Sequence, residues 1–157
     1  MRIYLGSDHA GYELKKHLVA RLTELGHEPV DCGPYEYIAT DDYPPHVMAA
    51  AKAAVDEAGS LAVVIGGSGN GEVIAANKVP GTRAALVWSE ETAKLAREHN
   101  DANVISIGAR MLSTEDATHF VEIFVATPFS KDPRHERRIG MLTDFEATGE
   151  LPGPESE

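Results

Sequence analysis

Residues 61–77 read LAVVIGGSGNGEVIAAN. Leu61, Ala62, Val63, Val64 and Ile65 form an unbroken apolar run, the pattern of a strand buried on both faces rather than one with a wet side. The run stops at Gly66, Gly67, Ser68, Gly69, Asn70 and Gly71. Glu72 follows, and Val73, Ile74, Ala75 and Ala76 resume an apolar pattern in good helix formers, so the loop opens a helix. Strand, glycine loop and helix make one unit of a parallel α/β sheet. Glycines remove the Cβ atoms that hold a ligand away from the backbone, and successive N–H groups at a helix start favour a phosphate or a developing oxyanion. Glu72 is the one evident proton carrier in the stretch. The GxGxxG spacing is out of register here, and the Walker lysine and hydroxyl are missing. A tight structural turn followed by a carboxylate favoured by the helix dipole is the competing reading.

The same unit recurs along the chain. Residues 2–7, RIYLGS, predict a strand that ends in Asp8, His9, Ala10 and Gly11, after which Leu14, Leu18, Leu22 and Leu25 fall at helical spacing. Ligands of parallel α/β sheets gather beyond the carboxyl ends of the strands, so Asp8 and His9 fall on the edge that carries the glycine loop. A helix cap at Asp8 with an exposed His9 is the alternative. Gly26 closes the helix, 27–31 is a second strand, and Cys32 reads as structural. The proline-rich loop PYEYIATDDYPP, with Asp41, Asp42 and Tyr43 in reach of a site, precedes a helix over 46–58. A fourth buried strand is expected over 82–88, then a helix over 89–98 capped by Ser89 and running into His99 and Asn100. A fifth strand over 104–107 brings Arg110 to the same carboxyl edge, whereas His99 and Asn100 precede that strand and also fit a polar helix end. Ser113 starts a helix to Ala126. A last helix from near Pro133 puts Arg134, Arg137 and Arg138 on one face, either an anion site or a solvated face paired with carboxylates such as Glu136.

These elements predict a three-layer, Rossmann-like α/β/α sandwich around a five-stranded parallel sheet, one domain over 1–150 with a disordered tail over 151–157. The formal charge of −11 argues against nucleic acid and anionic membranes as partners. Cys32 is the single cysteine, which rules out an internal disulfide, and no apolar run approaches the ~20 residues of a membrane span. The chain enters a strand pattern at Arg2 without the regions of a secretory signal, so a cytoplasmic protein is expected. A carboxylate, an imidazole, backbone donors and an arginine on one edge suit proton transfer on a small phosphorylated substrate.

The segments YLGSDHAGYELK, the DCG of residues 31–33, the DDYP of 41–44, GGSGNGEVIAANKVPGTRA, REHNDANVISIGAR and RHERRI occur in order over nearly the whole chain. Together they resemble the ribose-5-phosphate isomerase B family, in particular its actinobacterial branch. The resemblance implies interconversion of ribose 5-phosphate and ribulose 5-phosphate with no cofactor and no metal. Glu72 would move a proton between the first two sugar carbons through a cis-enediolate. Ring opening would fall to His99, or to Asp8 with His9. The N–H groups of Gly67, Gly69, Asn70 and Gly71, with the Ser68 hydroxyl, would stabilise the enediolate. His9, Arg110, Arg134 and Arg138 would hold the phosphate and Asn100 would orient the sugar, in a homodimer whose site is shared between subunits. Many members carry a cysteine base at the position of Gly66, and Glu72 fits the branch that uses glutamate. The alternatives are an isomerase of a six-carbon sugar phosphate, such as allose or galactose 6-phosphate, and a non-catalytic sugar-phosphate binding module. An unpaired carboxylate beside an anion nest repels a phosphate and so speaks against a pure binder.

Overall fold

The computed structural model describes residues 1–154, so the last three residues of the expected disordered tail lie outside the described residues. Among the described residues five strands are interleaved with six α-helices: β1 (Arg2–Ser7), α1 (Tyr12–Glu24), β2 (Glu28–Asp31), α2 (Pro44–Asp56), β3 (Leu61–Gly66), α3 (Asn70–Asn77), β4 (Ala84–Leu86), α4 (Glu90–Glu98), β5 (Val104–Gly108), α5 (Thr114–Ala126) and α6 (Pro133–Thr148). All pairings are parallel, in the order β2-β1-β3-β5-β4, which is the expected α/β/α sandwich.

Each central strand divides its side chains between two apolar layers at the two-residue period of a strand. Ile3 and Leu5, Leu61, Val63 and Ile65, and Ile105 and Ile107 pack with Leu14, Leu18 and Leu22 of α1, Ala93 and Ala96 of α4, and Phe120, Val121 and Phe124 of α5. Ala62, Val64 and Val104 face Val47, Ala50, Ala51 and Ala54 of α2 and Ala75 and Ala76 of α3. Burial on both faces is why β3 reads as a continuous apolar run. The small residues of α2 let it lie close to β1: a Cβ built on Gly6 would strike the backbone carbonyl of His46.

Three sequence expectations shift. The fourth strand is only Ala84–Leu86 and half-buried, because it forms the edge of the sheet and only β5 pairs with it. Helix α2 starts two residues early, at Pro44, where a proline's missing N–H costs nothing. Helix α3 starts at Asn70, because Gly69 turns the chain at φ +86° and ends the loop. Asn70, Gly71 and Glu72 therefore belong to the first helical turn. The expected Ser89 cap is present as a full capping box with Thr92. Among the described residues no helix is long and apolar enough to cross a membrane.

Gly6→Ala must push α2 off β1 against a backbone atom, and an overpacked core costs up to about 3 kcal/mol. Urea denaturation of this variant should show a loss of that order, and wild-type stability would contradict the close approach.

Candidate active site

The strand order reverses between β1 and β3, since β1 continues to β2 and β3 to β5. Loops leaving such a pair diverge and open a crevice at the carboxyl ends. Asp8 and Glu72 meet there. Asp8 N–H donates to the Ile65 carbonyl at 3.4 Å, and the Asp8 carboxylate accepts Ala10 N–H at 2.9 Å and Gly11 N–H at 3.2 Å. Asp8 thus caps a short 3-10 turn, as one sequence reading had it, and the cap is what holds its carboxylate at the crevice.

Glu72, in the first turn of α3, folds back over the last residue of β3. A Cβ built on Gly66 would fall within the Glu72 carboxyl group. The side chain is only 4% exposed. Burial pushes the Glu72 carboxyl above the usual carboxylate range, and the nearby Asp8 charge adds to the effect against a bond from Glu72's own N–H. This is a carboxyl group whose two protonation states are brought closer in energy, as a proton shuttle requires.

The loop between them is clamped from β5. Ser106 Oγ donates to the Gly69 carbonyl at 2.8 Å, and the Ala109 and Arg110 N–H groups donate to the Gly66 and Gly67 carbonyls at 2.8 and 3.0 Å. The Arg110 guanidinium lies along the loop, with Nη1 3.3 Å from where a Gly67 Cβ would sit. Ser68 Oγ accepts Asn70 N–H at 3.2 Å, which leaves its own proton to donate. The Tyr43 ring covers Gly71, its Cζ 2.6 Å from where a Cβ would be, so a side chain at 71 would displace the phenol.

His9 completes this edge through a residue 32 positions away. Asp41 Oδ1 takes both the His9 N–H and His9 Nδ1 at 2.8 Å, so Nδ1 carries a proton and the ring is fixed. Sequence placed Asp41 within reach of a site but gave no sign of this pairing. Asp42 is exposed, and Cys32 stands apart at the end of β2, where burial pushes its thiol up and away from reactivity.

The remaining expected residues form a second cluster at the opposite edge. Helix α4 runs back against the strands and delivers His99 and Asn100 to the start of β5, and Ser130 N–H ties the segment before α6 to the Glu98 carbonyl at 3.3 Å. The His99 ring lies 4.2 Å, centroid to centroid, from His135. His135 is buried, bonded through Nδ1 to Ser130 Oγ at 3.0 Å and through Nε2 to the Arg134 guanidinium at 3.3 Å. Arg134 N–H caps onto Asp132, whose carboxyl is held below the usual range by that bond and by the Arg134 and Arg138 charges. His135 went unassigned in the sequence because one histidine among three arginines carries no burial signal. Five residues of β5, about 17 Å at the rise of a strand, separate the two clusters. Within one chain, Asp8, His9, Ser68, Glu72 and Arg110 come together, while His99, Asn100, Arg134 and Arg138 stand at the other end.

With this geometry in place, comparison with known proteins is specific. The model of the Ribose/Galactose Isomerase family matches residues 3–142. Proteins named ribose-5-phosphate isomerase B from Mycolicibacterium paratuberculosis and Mycobacterium tuberculosis are each 57% identical over 152 residues, which is 97% of this chain and 96% and 94% of theirs. Among solved structures, ribose-5-phosphate isomerase B from Mycoplasma genitalium with bound ribulose-5-phosphate superposes with a TM-score of 0.89 at 38% identity, covering 94% of this chain and 97% of that one. The enzyme from Clostridium thermocellum gives 0.89 at 36% identity, covering 96% and 100%.

The raised Glu72 pKa has a consequence for stability. Between the ordinary carboxylate value and the raised one the folded state binds more protons than the unfolded state, so stability falls as pH rises through that window. Glu72→Gln should therefore melt at a higher temperature than wild type at pH 8, with the difference closing as pH drops below the ordinary carboxylate range. Equal melting temperatures at every pH would show that the carboxyl group is not desolvated.

Proposed function

The chain belongs to the ribose/galactose isomerase family, and from that premise we propose that it interconverts D-ribose 5-phosphate and D-ribulose 5-phosphate within a single domain over residues 1–150. The observation that carries this reading is the buried Glu72 carboxylate seated over Gly66, between Asp8 and the glycine loop. The relatives at 57% identity bear the pentose name, which favours the five-carbon substrate over a hexose phosphate.

The sugar ring opens first, with an imidazole or carboxylate exchanging protons between the ring oxygen and the anomeric hydroxyl. Two assignments fit: Asp8 with His9 on the Glu72 edge, or His99 brought by a second copy. Glu72 then takes the proton from the second carbon, and negative charge grows on the oxygen of the first. Backbone N–H groups of the loop from Gly67 to Gly71, with the Ser68 hydroxyl proton, meet that charge with dipoles already in place, where preorganised donors contribute most. The hydroxyl proton on the second carbon's oxygen passes to the oxygen of the first, and the cis-enediolate collapses to the ketone as Glu72 returns its proton to the first carbon. One carboxyl group serves as base and then acid, and no atoms are gained or lost. His9 and Arg110 hold the phosphate from one side.

A homodimer with a shared site supplies the other side. His99, Asn100, Arg134 and Arg138 stand a strand length from Glu72 of their own chain, so they serve its chemistry only across an interface. Helix α6 supports this reading: only His135 of it is buried, while Leu142 and Phe145 are 58% and 44% exposed. Apolar residues on a projecting helix call for a covering surface.

Assay of ribose 5-phosphate beside allose 6-phosphate and galactose 6-phosphate tests the substrate: the pentose should give the highest kcat/KM, and a hexose preference would contradict it. Arg138→Ala should raise KM about tenfold or more with kcat little changed, the signature of a lost binding contact. Mixing Arg138→Ala with Glu72→Gln tests the sharing. In an isologous dimer a mixed pair has one intact site if the two residues come from different chains, so a re-associated equimolar mixture should recover about a quarter of wild-type kcat/KM. Activity no higher than the average of the two parents would show that both residues act within one chain.

A further inference from the structure

We propose that Lys15 is a positioning residue for substrate binding: its buried ammonium fixes the root of the 34–43 segment and so holds Asp41 against His9. The proposal rests on the function proposed above only in taking His9 as a phosphate contact.

Lys15 is fully buried, 0% exposed on the core face of α1 beside Leu14 and Leu18. Its Nζ donates to Asp31 Oδ1 at 2.7 Å and to the Pro34 carbonyl, and it lies 5.6 Å from the centre of the Tyr12 ring. Desolvating an ammonium costs several kcal/mol, and apolar replacements of buried ion pairs are often neutral or stabilising. Core stability alone therefore does not account for a lysine at this position.

The turn it holds does. Asp31 Oδ1 also accepts Gly33 N–H at 2.8 Å, and the Gly33 carbonyl accepts Ser7 N–H at 3.1 Å, next to Asp8. Gly33 sits at φ +101°, with His46 Nδ1 2.5 Å from where a Cβ would be, so the turn has no slack on the α2 side. One ammonium thus ties the end of β2, the turn and α1 into a single body at the foot of the crevice. Beyond Pro34 the chain is weakly held: Tyr35, Tyr37 and Ile38 are 73%, 58% and 51% exposed. Tyr12 Oη donates to the Tyr35 carbonyl at 3.3 Å, and the Tyr37 ring meets Tyr12 and His9 edge-on at 6.1 and 6.4 Å. A segment with so little buried surface takes its path from its two ends. The far end is Asp41 on His9, and the near end is Lys15.

The test is Lys15→Met, which keeps the stem volume and leaves a partly exposed Asp31 to water. KM for ribose 5-phosphate should rise about tenfold with kcat within about threefold. The melting temperature should fall, because the buried Pro34 carbonyl loses its donor and Asp31 its opposite charge, and the 15N shifts of the His9 ring should lose the signature of a fixed Nδ1–H. A lower melting temperature with unchanged KM and unchanged His9 shifts would make Lys15 merely structural and overturn the proposal. If Lys15→Met does not fold, Asp31→Asn, which keeps an oxygen for Gly33 and Lys15 but removes the opposite charge, should move KM and the His9 shifts in the same direction, and no movement would overturn it. The His9 shifts decide the matter without turnover, so a wild type inactive on ribose 5-phosphate would fail the assigned substrate and not this inference.

Discussion

The volume above the α-carbon of Gly66 holds one group, and here that group is the carboxyl of Glu72. A side chain at residue 66 and a carboxylate reaching back from residue 72 cannot share it. The exclusion explains a glycine at the end of a strand that is otherwise buried and apolar: any side chain at residue 66 would take the place of the Glu72 carboxyl group. It also sets the chemistry. A carboxyl group pressed against backbone, with Asp8 nearby and little water, has its ionised form destabilised, which is what raises its pKa and suits it to take and return one proton.

The rest of the molecule is arranged to keep that volume where it is. The β1–β3 crevice exists because the sheet reverses there, and the loop that fills it is pinned by Ser106, Ala109 and Arg110 from β5 on one side and covered by Tyr43 on the other. Gly108 belongs to the same arrangement, since a Cβ there would lie 2.5 Å from the Ser68 carbonyl oxygen. These are backbone and core interactions, so the site inherits the rigidity of a doubly covered parallel sheet. The opposite edge is built differently. His135 meets both His99 and Arg134 on a helix end and a projecting helix, with exposed apolar residues nearby.

Much of this was legible in the residues. The unbroken run over 61–65 announced a strand covered on both faces, and a glycine loop before a helix announced a place for charge. Asp8, Glu72 and Arg110 fell on one edge by topology alone, because each follows a strand of a parallel sheet. The fourth strand was overdrawn, since Thr82, Arg83, Val87 and Trp88 have strand-like character and only the missing neighbour beyond β4 limits pairing to three residues. The bond from His9 to Asp41, the burial of Lys15 and the contact of the His135 ring with His99 gave no signal. Each joins residues from separate elements, and a lone polar residue reads the same whether it faces water or a partner packed against it by the fold.

The central claim is that the carboxyl group over Gly66 moves the proton. The direct measurement is deuterium uptake at the first and second carbons of the sugar phosphate in D2O, followed by NMR for wild type and Glu72→Gln at saturating substrate. The account predicts that wild type labels these positions during turnover and that Glu72→Gln labels them at least about a thousandfold more slowly while still binding the sugar phosphate. Labelling by Glu72→Gln at a rate near that of wild type would assign the proton to another group and contradict the account.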